Sequence, residues 1–313
     1  MANTDVAAFS PAAQTLYRKK AFDFLRKDLR FHQSGLMESI PKNGGQVIST
    51  YRLDNLSAAT SALTEGTAPS EVQVAGTTFS ATLAQYGNFA KVTDLLEISG
   101  RSDTMEQFSR QFGYNGALSV DTLTYNEYLN ATAHFANNYN SGNMGPDAYV
   151  TSKEIRRLGK KFRANNVRPN DDGYYNLFLH PDCEFDVVTD DNFGSVIDLQ
   201  KRVGDQNEVL WKGVAGTYGG FKVYTTSLIT TTATGTNGQT AYRNIATGYG
   251  ALLNVGLGGM PFQLFVNPSS NVNISNPLAQ LGSVGWKATY VAKLIGTDGP
   301  RAYRVLATAS EPS

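Results

Sequence analysis

Gln46-Val47-Ile48-Ser49-Thr50-Tyr51-Arg52-Leu53, answered after a long interval by Thr77-Thr78-Phe79-Ser80-Ala81-Thr82-Leu83-Ala84-Gln85, is the stretch on which the fold of this chain turns. In the first limb Val47 and Tyr51 alternate with Ile48, Thr50 and Arg52, the period-two pattern of a strand. In the returning limb Phe79, Ala81 and Leu83 fall on one face, and Thr78, Ser80, Thr82 and Ala84 on the other. The interval from Asn55 to Gly76 contains Leu63-Thr64-Glu65-Gly66-Thr67-Ala68-Pro69 and is dominated by Ser, Ala, Thr and Gly. An ordered connection longer than about 15 residues is uncommon inside a compact domain and is usually functional or mobile. A strand pair this poor in large apolar residues has little to bury within its own subunit. The expectation is therefore an arm that lies across a neighbour, against the plainer alternative of a hairpin with a mobile tip. A third strand, Phe89 to Leu96, follows.

On the N-terminal side, Ser10-Pro11 offers an N-cap and a proline in the first turn, and no glycine or further proline interrupts the chain up to Arg30. That predicts a helix with Arg18, Lys19, Lys20, Arg26, Lys27 and Arg30 on its polar side, either a solvated face or a contact for acids or phosphate. On the C-terminal side, Asp103 and Glu106 have capping-box spacing and open a long helix through Met105, Phe108, Phe112, Leu118, Tyr125 and Leu129. Gly113 and Gly116 weaken its middle and predict a bend or a close approach there. Asn137 to Gly145, closed by Pro146, reads as an exposed loop.

Thr151 and Glu154 repeat the capping-box spacing ahead of a basic helix that runs to about Asn165 and carries Lys153, Arg156, Arg157, Lys160, Lys161 and Arg163. Asn170-Asp171-Asp172-Gly173 makes a turn, Tyr174 to His180 a buried strand, and Pro181-Asp182 opens a short helix. Gly-punctuated strands follow, with a flexible Thr/Gly stretch from Thr230 to Thr240. The chain closes on a strand pair, Val284 to Ile295 and Arg301 to Thr308, turned by Asp298-Gly299-Pro300. The helix, turn, strand, proline, helix order from Thr151 gives the second half mixed α/β character, and the fold class expected for the whole chain is α+β.

Composition narrows the function classes. The 313 residues, 41% hydrophobic, suffice for a full core. A formal net charge of +0 gives no long-range field for nucleic acid or anionic membrane. The single cysteine, Cys183, excludes an internal disulfide framework and suits a reducing compartment. No secretory signal and no apolar run of membrane-spanning length is visible, so the expectation is a protein made in the cytoplasm with no membrane partner.

Catalytic signatures are missing: no nucleophile elbow, no Walker loop, no histidine pair at metal spacing. His180, Asp182 and Cys183 form one constellation with nucleophilic chemistry, but a strand-end histidine and a cysteine on the next turn suit packing better. Asn170-Asp171-Asp172 and Asp190-Asp191-Asn192 lack the spaced alternation of a calcium loop and suit turns. Gly213, Gly216, Gly219 and Gly220 do not make a dinucleotide fingerprint. The expectation is a protein without enzymatic activity, cofactor or metal.

Leu63-Thr64-Glu65-Gly66 with Pro69, then Gln85-Tyr86-Gly87 with Val92 and Asp94, then the basic helix, then Asp172-Gly173-Tyr174-Tyr175 and His180-Pro181, occur in an order that resembles the tailed-phage major capsid proteins of the phage N-four type, which have the Hong Kong 97 capsid fold. The resemblance runs from about residue 36 to the end. It implies an N-arm at 1–40, an E-loop with its base strands at 41–95, and a peripheral domain with a long spine helix at 96–150. It further implies an axial domain at 151–275 and, at 276–313, C-terminal strands that return to the peripheral domain. It implies a homo-oligomer of hexamers and pentamers in an icosahedral virion capsid, assembled in the host bacterial cytoplasm around double-stranded DNA. Portal, scaffold and cement proteins would be its partners.

On that resemblance the intersubunit E-loop contacts are Leu63, Thr64, Glu65, Gly66, Pro69, Phe79 and Leu83. The basic contact faces are Arg18, Lys19, Lys20, Arg26, Lys27, Arg156, Arg157, Lys160 and Lys161. The chain departs from the type member in having no lysine between Gln46 and Gln85, which implies a shell without the E-loop isopeptide cross-link. An encapsulin-like compartment shares the fold, a phage tube or decoration protein is a further alternative, and a cysteine-dependent enzyme is the reading from another class.

Overall fold

The computed structural model describes residues 29–53, 56–66, 68, 70–99, 104–140, 144–190, 214–234, 239–258, 262–270, 276–295 and 300–312. Its first part supplies β1 (Leu36–Ile40), β2 (Val47–Leu53), β3 (Gly76–Thr82) and β4 (Ala84–Thr93), then a short helix α1 (Asp94–Ser99) and a long one, α2 (Thr104–Tyr128). β5 (Thr132–Phe135) leads to α3 (Ser152–Ala164), β6 (Tyr175–Leu179) and α4 (Pro181–Thr189). Eight further strands are β7 (Val214–Tyr218), β8 (Phe221–Thr225), β9 (Thr231–Thr234), β10 (Gln239–Thr247), β11 (Leu252–Leu257), β12 (Phe262–Asn267), β13 (Leu281–Leu294) and β14 (Ala302–Ala307).

The strands sort into three sheets. In the first, β13 pairs antiparallel with β4, β11 and β12, and β1 lies parallel to β11. The second runs β5-β14-β10-β6-β8-β7 with β9 on β10. The third is β2 with β3 alone.

The long helix α2 spans both larger sheets. Met105, Phe108 and Phe112 pack with Val92 and Val284 of the first and with Leu96 of α1, while Tyr125 and Tyr128 enter the large core built on the second. At about 1.5 Å per residue such a helix is some 37 Å long, enough to make it a spine. Polar bonds fix its rotation. The Trp286 indole N–H donates to Asn115 Oδ1 at 2.8 Å, Thr124 Oγ1 meets the Tyr290 hydroxyl at 2.7 Å, and Tyr290 in turn donates to Asn254 Oδ1 at 2.7 Å. The His32 backbone N–H donates to Asp121 Oδ1 at 2.7 Å, tying the entry of the chain to the same helix.

Several sequence expectations need correction. The third strand ends at Thr93, and Leu95 and Leu96 belong to α1, because two adjacent leucines break the alternation and Asp94 accepts from the Leu95 N–H at 2.7 Å. Asp103, the cap of the expected capping box, lies outside the described residues, and Glu106 pairs with Arg110 at 2.5 Å. The Thr/Gly stretch is partly a strand pair: β9 bonds β10 from Thr231↔Tyr242 to Thr234↔Gln239, as β-branched threonines favour. The closing strands do not pair with each other. β13 belongs to the first sheet and β14 to the second, between β10 and β5. Each strand is legible by its alternation, but its partners lie far off in sequence.

The two glycines of α2 separate cleanly. A β-carbon at Gly116 would collide with the Phe262 ring and lie 3.1 Å from Trp286, whereas one at Gly113 would meet nothing within 4 Å. Gly116 therefore serves close helix-to-sheet packing, and Gly113 only weakens the helix. Gly113→Ala is expected to raise stability by about 0.5–1 kcal/mol, and Gly116→Leu to lower it by about 1–3 kcal/mol. Urea unfolding of the two variants measures both, and equal signs would contradict this packing.

Candidate assembly interface

The arm formed by β2 and β3 is built from one continuous run. β3 pairs with β2 from Val47↔Thr82 to Leu53↔Gly76; the Leu83 N–H then donates to Gln46 O at 2.8 Å, and the chain passes directly into β4, which pairs with β13. The inner face at the base is anchored in the chain's own core. Leu83 is 9% exposed and clusters with Ile40, Leu253, Val255 and Ile295, with Ile48 and Phe79 packed against them. Of the expected intersubunit contacts, Leu83 is thus buried within its own subunit, while Phe79 is half-buried against the same cluster.

The opposite face and the tip have no such cover. Val47, Tyr51 and Leu53, on the outer side of β2, are exposed, Tyr51 by 60%. Beyond them Leu56, Leu63, Val72 and Val74 are exposed as well, Leu63 by 76%. Seven large apolar side chains on a two-stranded ribbon exceed the scattered exposure normal for a protein surface and mark an interaction face. Neither ribbon strand bonds any strand but the other, so both outer edges keep unpaired backbone groups among the described residues.

Of the expected tip residues, Leu63, Thr64 and Glu65 are exposed, Gly66 makes the turn with a φ of +78°, and Pro69 lies outside the described residues. Sequence reasoning did not single out Val47, Tyr51, Leu53, Leu56, Val72 and Val74, which the structure leaves exposed. Apolar residues on both faces of β2 were the available signal.

Arg18, Lys19, Lys20, Arg26 and Lys27 also lie outside the described residues. On α3 the expected cations divide. Arg157 pairs with Glu154, and Lys161 Nζ lies 2.8 Å from His134 Nδ1 and 5.7 Å from the centre of the Tyr303 ring. Arg156 sits 5.6 Å over the Tyr218 ring, and Lys160 is exposed. The capping box is absent: Thr151 is the N-cap but makes no side-chain cap bond. The cap comes from the far end of α4, where Asp190 accepts from the Ser152 N–H at 2.8 Å and its hydroxyl at 2.5 Å. Glu154 turns inward instead. It is 2% exposed, 3.4 Å from Nε2 of His134, itself 5% exposed. Burial alone would raise its carboxyl, but the adjacent His134 ring and the Arg157 charge outweigh burial and hold it below the ordinary range.

The nucleophile constellation dissolves on inspection. His180 is the N-cap of α4, its Nδ1 accepting from the Asp182 N–H at 3.3 Å, and its ring stacks on Tyr242 with centroids 4.5 Å apart. The Tyr242 hydroxyl donates to Asp182. Cys183 is buried, with Asn244 Nδ2 3.4 Å from its sulfur, and burial pushes its thiol up to about 12, far from a thiolate. Asp171 and Asp172 are a turn's surface charges, paired with Arg168 and Lys222 at 3.4 Å each. No group of three or more metal-ligating side chains occurs among the described residues, and no helix among them is long and apolar enough to cross a membrane.

A long helix across two sheets with a two-stranded ribbon at one of them is an α+β arrangement of the Hong Kong 97-like capsid fold. Residues 75–305 match the family model described as phage capsid protein, so the chain belongs to that family and is a structural protein, not an enzyme. Its fold is similar to the capsid of Ralstonia phage GP4, with a TM-score of 0.72, 13% identity and 100% of each chain covered. It is likewise similar to the capsid of cyanophage P-SCSP1u, with a TM-score of 0.71 and 13% identity over 95% of this chain and 93% of that one. The head structure of Helicobacter pylori bacteriophage KHP40 gives a TM-score of 0.69 at 10% identity, covering 98% and 99%. No curated protein matches the sequence.

The Glu154 cluster yields a signed expectation. Its folded pKa is depressed, so its stabilisation is complete above the ordinary carboxylate range and is lost as pH falls through the folded value. Glu154→Ala should cost about 1–3 kcal/mol at neutral pH, because it leaves the buried His134 and the partly exposed Arg157 without their carboxylate. Urea unfolding across the acid range should show that deficit shrinking as pH falls below the ordinary carboxylate range. A deficit unchanged by acid would contradict the ion-pair account.

Proposed function

We propose that this chain is the major capsid protein of a tailed phage, assembling as hexamers and pentamers into a closed icosahedral head around double-stranded DNA. The observation that carries this reading is the ribbon β2–β3, welded at its base to its own subunit and bare along its outer face, edges and tip. A neighbouring copy covers that surface, burying the apolar side chains at about 1.5–3 kcal/mol each and extending the ribbon by backbone pairing. Weak contacts of this kind, repeated by symmetry, close a shell while remaining correctable.

The parts are assigned accordingly: N-arm 1–40, E-loop and base 41–95, peripheral domain with the spine helix 96–150, and axial domain 151–275. The sheets cut across these bounds: β11 and β12, within 151–275, share the first sheet with β13, and β5, within 96–150, shares the second with β14, so the closing residues 276–313 are divided between the two. Portal, scaffold and cement proteins complete the particle in the host cytoplasm. With no lysine between Gln46 and Gln85, the arm holds by pairing and packing.

Electron microscopy of the expressed chain, with viral partners added where needed, is expected to show closed shells. The doubly substituted Leu63→Asp/Val72→Asp chain should remain folded, with stability within about 0.5 kcal/mol of the parent, since both positions are exposed. It should lose shells at least tenfold. Shells that form undiminished from the substituted chain, or a parent that stays monomeric under every condition, would overturn this function.

A further inference from the structure

The helix α3 carries six cations, and its periodicity sorts them. At about 100° per residue, Arg157 and Lys161 fall on the flank of Glu154, where both are engaged: Arg157 with the buried carboxylate and Lys161 with His134. Arg156, Lys160 and Arg163 fall on the other flank, within an arc of about 60° and over about 10 Å of helix axis. All three are exposed, and none forms an ion pair among the described residues. Lys153 continues the stripe at its N-terminal end but shares a small cavity with Asp147 and Asp190, which offset its charge.

Among the described residues, the neighbours that touch the stripe are uncharged. Arg156 lies over Tyr218, and the turn Gly219–Gly220 backs onto the helix, a β-carbon at Gly220 falling 3.3 Å from the Arg163 guanidinium. The helix exposes no apolar side chain larger than Ala164, its apolar residues Ile155, Leu158 and Phe162 being fully buried. A protein partner normally brings an apolar centre to its interface, and this face has none to offer it. Phosphates need only charge at regular intervals, two of the three cations being arginines whose planar forks suit phosphate oxygens.

We infer that Arg156, Lys160 and Arg163 form the face of this subunit that binds the phosphate backbone of double-stranded DNA, independently of sequence. The inference rests on the reading of the chain as a shell around DNA and adds which surface faces the genome. Arg157 and Lys161 are excluded from it by their internal contacts.

The test is binding of the full chain to a short duplex DNA at a series of salt concentrations, with particle formation scored in parallel by electron microscopy. For Arg156→Gln/Lys160→Gln/Arg163→Gln the slope of log affinity against log salt should become shallower by about 2–3, while shells still form. Arg156→Lys/Arg163→Lys, which keeps the charges, should retain the parental slope. Lys160→Gln alone, at an exposed position, should reduce the slope by about 1 and settles the matter if the triple variant does not fold. An unchanged slope in variants that still form shells overturns the stripe and leaves the shell standing. A parent that binds polyglutamate of equal charge more tightly than the duplex overturns it in favour of an acidic protein. A parent that never forms shells overturns the underlying function instead.

Discussion

Backbone pairing between Ala84–Thr93 and Leu281–Tyr290 is the interaction on which the rest of this molecule depends. It joins residues nearly 200 positions apart and fixes the strand that continues, through Leu83, into the returning limb of the arm. Because that limb is the same extended run of chain, the sheet's orientation is carried outward into the ribbon. The arm is thereby aimed without needing contacts of its own along most of its length. A loop merely tethered at two points would lose far more freedom on meeting a neighbour, and its ordering would subtract from the contact energy.

The same economy governs the interior. α2 is held against the first sheet by Gly116, Trp286 and the Tyr290 bonds, and its last turns enter the core of the second, so the two sheets share one spine. Buried charge is concentrated in a few clusters of named partners. Glu154, His134, Arg157 and Lys161 lock α3 to β5, and Asp190 caps α3 from α4. These contacts consume cations that a sequence reading assigns to a surface, and thereby define which ones are left for a ligand.

What could be read from sequence follows from the range of the interactions involved. The α2 helix, the basic helix, the Asn170–Gly173 turn and the helix opened by Pro181 declare themselves because periodicity, caps and turn residues act within a few positions. The arm was legible for the opposite reason, as a strand pair with too little to bury. Partners distant in sequence were not legible. Nothing local tells β13 to bond β4 and β14 to bond β10, or Thr151 to yield its capping role to Asp190. Phe79 and Leu83 were assigned to a neighbour because the residues that cover them, Ile40, Leu253 and Val255, arrive from both ends of the chain. The contact residues on the outer face of β2 were hidden by the same ambiguity, since alternation alone does not say which face is inward.

The central claim is that the ribbon is complete only when another copy covers it. Hydrogen–deuterium exchange of the backbone amides of residues 47–53 and 76–82, compared between unassembled subunits and purified shells, tests it most directly. The account predicts that β4 and β13 are protected in both forms, while the ribbon's outer-edge amides exchange fast in the subunit and become protected in the shell. Equal, rapid exchange of the ribbon in both forms would show that no neighbour covers it and would contradict the account.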